Sequence, residues 1–150
     1  MSCNPFDRCI LSSDNRLKIV VAENKRRYCG INPLNKKLDL LQVDGCLIPD
    51  NDKVKCDFLL LACNEEDKSD KNAYFIELKG TDFLHGIDQL ENSIKILSHE
   101  LNDFSLNARI VVTKIYSPDL KNSKMIRLER FLKQRKGNFI RSEKNLEETI

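Results

Sequence analysis

The run Val54–Cys63 (VKCDFLLLAC) constrains the fold more than any other segment. It reads as a strand that is apolar on both of its alternating faces, and such a strand has to be covered on both sides. Turn residues Pro49-Asp50-Asn51-Asp52 precede it, and a polar loop, Asn64–Asn72 (NEEDKSDKN), follows. Leu38–Ile48 before the turn and Ala73–Lys79 after the loop are also strand-like, the latter ended by Gly80. Connections this short predict an antiparallel meander of three strands.

Asp82 then stands as a helix N-cap, and Phe83, Ile87, Leu90, Ile94, Leu97 and Leu101 recur at steps of three and four. That spacing is one apolar stripe of an amphipathic helix. Ala108–Ile115 reads as a fourth strand ended by Ser117-Pro118, Ser123–Lys136 as a second helix stopping at Gly137, and Phe139–Arg141 as a short last strand. The crossover through the long helix predicts parallel pairing of the third and fourth strands. Upstream, residues 1–16 read as polar and irregular, with Ser12, Ser13 and Asp14 as cap or turn residues. Leu17–Ala22 suits a strand or the middle of a helix, and Asn32–Asn35 is a turn. The expectation is an α/β fold in the order β-β-β-α-β-α-β, a mixed central sheet flanked by helices, as one domain over residues 1–150.

With 41% hydrophobic and 32% charged residues, the chain can bury a core and is not globally disordered. Its net charge of +2 does not mark the whole chain as a nucleic-acid binder, so a phosphate-binding surface must come from local clustering. No apolar run approaches the roughly 20 residues of a membrane span. Asn4, Asp7 and Arg8 near the start leave no signal-peptide pattern, so a cytoplasmic protein without membrane contact is expected. The six cysteines form no CxxC pair, and His85 and His99 are the only histidines; structural, reduced cysteines are the expectation.

Asp57 interrupts the apolar strand, and Glu77 and Lys79 share one face of the next by alternation. Three ionisable groups on neighbouring buried strands require an account, because unpaired buried charge is costly. One account is an ion-pair network that only stabilises a structural α/β domain. The other is two carboxylates holding a hard divalent cation such as Mg²⁺ or Mn²⁺, with the remaining coordination left to water and phosphate oxygens. There the metal would bind the scissile phosphate and activate the attacking water, while Lys79 orients that water or offsets charge developing on phosphorus.

Cys56-Asp57-Phe58-Leu59-Leu60-Leu61 and Tyr74-Phe75-Ile76-Glu77-Leu78-Lys79-Gly80, followed by a helix with His85-Gly86-Ile87-Asp88-Gln89-Leu90, resemble the PD-(D/E)XK nuclease superfamily. The resemblance covers about Leu38–Ile115. It implies a restriction-endonuclease-like core, Asp57 and Glu77 as metal ligands, Lys79 as the catalytic lysine, and Gln89 as the helix glutamine that often faces the active site in resolvase-like members. Cys56 stands where the naming proline would be. Many members also supply an acid from a helix before the first strand; Glu23 is the candidate here, with Asp44 as a second, although Asp44 before Gly45 is also a natural turn residue. His85 shares the Gln89 side of the helix but reads as solvated, and His99 as a surface residue.

From Lys121 to Lys136 seven basic residues face one acid, Glu129. Lys124, Arg127 and Arg130 are the candidates for phosphate contact; a solvated helix face is the alternative. The reading is therefore a metal-dependent endonuclease acting on DNA, or less readily RNA, of the kind that serves phage defence, mobile elements or repair. Its rival is a catalytically silent subunit of the same fold within a larger nucleic-acid-processing complex. A homodimer suits a double-strand cutter.

Overall fold

A computed structural model describes residues 3–51, 54–116, 118 and 122–150; the expected turn residue Asp52, the expected strand-end residue Ser117 and Lys121 of the basic run lie outside them. The first half of the chain holds strands β1 (Ile10–Asp14), β2 (Lys18–Glu23), β3 (Arg26–Ile31), β4 (Lys37–Gln42), β5 (Phe58–Cys63) and β6 (Lys71–Lys79). Helix α1 (Phe83–Leu97) follows and runs into a 3-10 turn at Ser98–Leu101. Then come β7 (Ser105–Val112), α2 (Ser123–Gln134), β8 (Phe139–Glu143) and β9 (Asn145–Thr149).

The strands form a six-stranded sheet in the order β1-β4-β5-β6-β7-β8 and a three-stranded sheet in the order β2-β3-β9. As expected, β4, β5 and β6 are an antiparallel meander, and β6 pairs parallel with β7. The fold is α/β with mixed sheets and two flanking helices. Both helices cover one face of the large sheet, where Leu59, Phe75 and Ile110 meet Ile87, Leu90 and Leu128. The opposite face is covered by the small sheet, with Leu60, Ile76 and Val111 against Ile19, Tyr28 and Leu146. This second layer explains why β5 is apolar on both sides. On α1, Phe83, Ile87, Leu90, Ile94 and Leu97 are all buried, each worth roughly 1.5–3 kcal/mol of burial free energy. Asp82 caps that helix, its side chain accepting from the His85 N–H.

Several expectations are corrected. Residues 1–16 are not wholly irregular: β1 pairs with β4, and Ser13 donates to the Asp39 carboxylate from this edge strand. Leu17–Ala22, open between strand and helix in the sequence, lies in strand from Lys18 onward, with Ile19 and Val21 turned inward on a two-residue period. The expected strand Leu38–Ile48 ends at Gln42. There the chain folds back on itself, Ile48 N donating to Val43 O and Gly45 taking a φ of 79°. β5 likewise begins at Phe58, so Val54–Asp57 is an extended lead-in rather than strand.

The cysteines are corrected too. Cys3 is bonded to Cys63 and Cys9 to Cys46, while Cys29 and Cys56 are free and buried. Both bonds fasten the N-terminal segment to the large sheet and its adjoining turn. Among the described residues no helix is long and apolar enough to cross a membrane.

Candidate active site

At one end of the large sheet, β5 begins and β6 finishes. Asp57, one residue before β5, is held there by its own backbone: its N–H donates to Ile76 O at 3.2 Å and its carbonyl accepts from Val43 N at 3.0 Å. Its side chain also accepts from the Leu78 N–H at 2.9 Å. Glu77 lies on the neighbouring strand with 2% of its surface exposed, and its Oε1 is buried without a hydrogen-bond partner among the described residues. By alternation Glu77 and Lys79 share the helix-facing side with Phe75. Thus the structure brings together Asp57, Glu77 and Lys79 where the sequence placed them.

The electrostatics follow from burial. Burial raises the Asp57 carboxyl above its ordinary range; the Leu78 N–H works against that, and the negative charges of Glu23 and Asp44 add to it. Burial pushes Glu77 further, up to about 9, with the Asp57 charge adding and Lys79 partly offsetting. Both shifts run upward, so ionising the two neighbouring carboxyls together is costly without a cation between them. Lys79 is half-buried and makes no ion pair among the described residues.

Helix α1 closes the site from above. A Cβ at Gly86 would collide with Ile110 and lie 3.6 Å from the Lys79 side chain, so the missing side chain is what lets the helix approach. Gln89 Nε2 donates to Lys55 O at 3.0 Å, and its Oε1 is buried without a partner among the described residues. Two neighbours missed from the sequence act with it: Ser93 Oγ accepts from Cys56 N at 2.8 Å, and Asn92 donates to Val54 O. Together they clamp the lead-in to Asp57 onto α1. The signal was Ser93 beside Ile94 on the apolar stripe, where a polar side chain needs a backbone partner. Burial also pushes the neighbouring Cys56 thiol up, leaving it an inert core group.

The other candidates divide. Asp44 is exposed, and its carboxylate lies 3.7 Å from Lys55 Nζ in the Gly45 turn. Glu23 ends strand β2, not a helix, yet its charge reaches Asp57. His85 and His99 are exposed. Lys124 and Arg127 are each 3.0 Å from an acid of α1, Asp88 and Glu91 respectively, while Arg130 is exposed. No hydrogen bond or ion pair among the described residues links these three to Asp57, Glu77 or Lys79.

The donor set suits a hard cation. The Asp57 carboxylate accepts from one backbone N–H and Glu77 Oε1 has no donor among the described residues, where no ready cluster of three or more His, Cys, Asp or Glu converges. A cation there would rely on two protein carboxylates and on water or substrate oxygens, the usual habit of Mg²⁺. No family model, curated protein or solved structure matches this chain.

Proposed function

We propose that this protein is a divalent-metal-dependent phosphodiesterase acting on nucleic acid, DNA before RNA, with a restriction-endonuclease-like core. One observation carries the reading: Glu77 is buried beside Asp57 with an oxygen that no group among the described residues satisfies. A network that served only stability would pair that oxygen or place Lys79 in an ion pair, because a lone buried polar atom costs about 1–3 kcal/mol. The resemblance of the segments around Asp57, Glu77 and Lys79 to the PD-(D/E)XK superfamily is the second support for the reading.

Asp57 and Glu77 would hold Mg²⁺ or Mn²⁺, which would neutralise the scissile phosphate and acidify the attacking water. The chain's own part is positional. Leu78 N–H and the β5–β6 ladder fix the Asp57 carboxylate beside Glu77. Lys79, two residues on and on the same face, orients the water or offsets charge growing on phosphorus. Gln89 and Ser93 keep the Asp57 lead-in from shifting.

The deciding experiment incubates the protein with supercoiled plasmid, linear duplex, single-stranded DNA and RNA in Mg²⁺, Mn²⁺ or EDTA, alongside Glu77→Ala and Lys79→Ala. Cleavage that requires metal and is lost in both variants supports the reading. Binding without cleavage, indifferent to either substitution, favours the silent subunit and removes the enzyme.

A further inference from the structure

The β2–β3 hairpin reaches the large sheet at the end where Lys79 closes β6. Its register sets Glu23 opposite Arg26. By alternation both lie on the hairpin face that carries Ile19, Val21 and Tyr28, the face turned toward the large sheet. The turn between them is tight, with Asn24 and Lys25 at φ 47° and 66°, the handedness that suits a two-residue hairpin. Arg26 Nη1 lies 3.4 Å from Thr113 Oγ1, and Thr113 N donates to Gly80 O at 2.8 Å. The guanidinium therefore sits one strand across from the residue that follows Lys79, at the sheet end on the small-sheet side, whereas Glu77 and Lys79 face the helices. The charge of Glu23, opposite Arg26, reaches Asp57 around that end.

Two further facts define this corner. Arg26 Nε is buried and has no acceptor among the described residues. A buried donor in that state calls for a ligand, and a guanidinium offers five donors in a planar fork that fits phosphate oxygens. The β8–β9 turn is stitched to the same corner: Lys144 N donates to Val112 O at 2.7 Å, and its carbonyl accepts from Arg27 N at 2.9 Å. Lys25 and Lys144 are exposed on either side. By contrast, the basic helix α2 has committed Lys124 and Arg127 to acids of α1.

We infer that the hairpin tip is the phosphate clamp of this site: Arg26 binds a backbone phosphate next to the one held at Asp57 and Glu77, and Lys25 and Lys144 form its rim. The clamp rests on the phosphodiesterase reading and makes a distinct demand of it. Contacts of this kind position the strand without reading its bases, so affinity falls with salt and is indifferent to sequence.

The test measures fluorescence anisotropy of fluorescein-labelled duplex and single-stranded DNA against a KCl series in EDTA, with cleavage followed separately in Mg²⁺. Arg26→Ala is expected to weaken binding about tenfold and to lower the slope of log K against log salt by about one. Lys18→Ala, an equal loss of charge at the far end of β2, is expected to change neither. If Arg26→Ala melts early, Arg26→Gln, which keeps a polar side chain of intermediate length and removes the charge and the guanidinium fork, is read in its place. Wild-type affinity and slope in the Arg26 variant overturn the clamp alone, provided Glu77→Gln still abolishes cleavage. A wild-type protein that neither binds nor cuts overturns the phosphodiesterase reading and takes the clamp with it.

Discussion

Replacing Glu77 by glutamine should make the metal-free protein more stable at neutral and alkaline pH, although it removes a central residue of the site. The folded protein holds Glu77 protonated up to about 9, while the unfolded chain releases that proton near 4.5. A raised acid of this kind contributes stability fully below its unfolded pKa, and that contribution is lost as pH rises through the folded value. Within the window each pH unit costs about 1.4 kcal/mol, so moving from about pH 5 to pH 8 costs about 4 kcal/mol. For a chain of this size that is a fall in Tm of roughly 8–16 °C. Asp57 is raised as well and adds in the same direction. Glutamine keeps the shape of Glu77 and cannot ionise, so its Tm curve should be the flatter of the two. Melting both proteins from pH 5 to pH 9 in EDTA, without reductant, measures the difference, and groups common to both cancel. Mg²⁺ should then raise the wild-type Tm most at high pH, by about 2.7 kcal/mol of stability at a hundredfold excess over Kd, and leave Glu77→Gln unmoved. Parallel curves for the two proteins would refute the reasoning, because Glu77 would then be ionised in the fold at ordinary pH.

Three other outcomes follow from the packing. Arg109 lies 2.6 Å from Glu148, which also accepts from Tyr28 Oη at 2.8 Å; Arg109→Ala strands that carboxylate and should cost about 3–5 kcal/mol in a urea melt. Gly137→Ala drives a Cβ into the Leu106 carbonyl, a backbone atom that cannot swing aside, so a loss of about 1–3 kcal/mol is expected despite alanine's gain in chain entropy. Thiol titration should find no reactive group in the native protein, two in denaturant and six after reduction, since Cys29 and Cys56 are free and buried and the other four are bonded. Replacing Cys9 and Cys46 by serine should then lower stability by about 2–4 kcal/mol.

Much of the central sheet was legible because Leu59–Leu61, Phe75–Leu78 and Ile110–Val112 carry their own pattern, and Gly80, Asp82 and Gly137 punctuate it. The same alternation put Asp57, Glu77 and Lys79 together. What escaped were elements whose burial belongs to tertiary pairing. β3 begins with two arginines, and β9 buries only Leu146 among its five residues, so neither has a strand-like apolar signature. The disulfides escaped for a related reason: spacing along the chain does not fix which cysteines meet. Charge misled in α2, where Lys124 and Arg127 looked free until Asp88 and Glu91 of another helix were placed beside them. Glu23 was legible only as an acid expected on a helix, and Arg26 gave no motif at all; only the register of β2 on β3 sets the two opposite each other.

The parallel pairing of β9 beside β3 has a consequence in time as well as space. The meander, α1 and β7 are complete, with both carboxylates in place, well before β9 leaves the ribosome. The hairpin bearing Arg26 has β2 on one flank, while its other flank stays open until β9 is made. A two-stranded hairpin is marginal by itself. During synthesis the acidic half of this site therefore assembles first, and the basic arm acquires its fixed position only as the last strand docks.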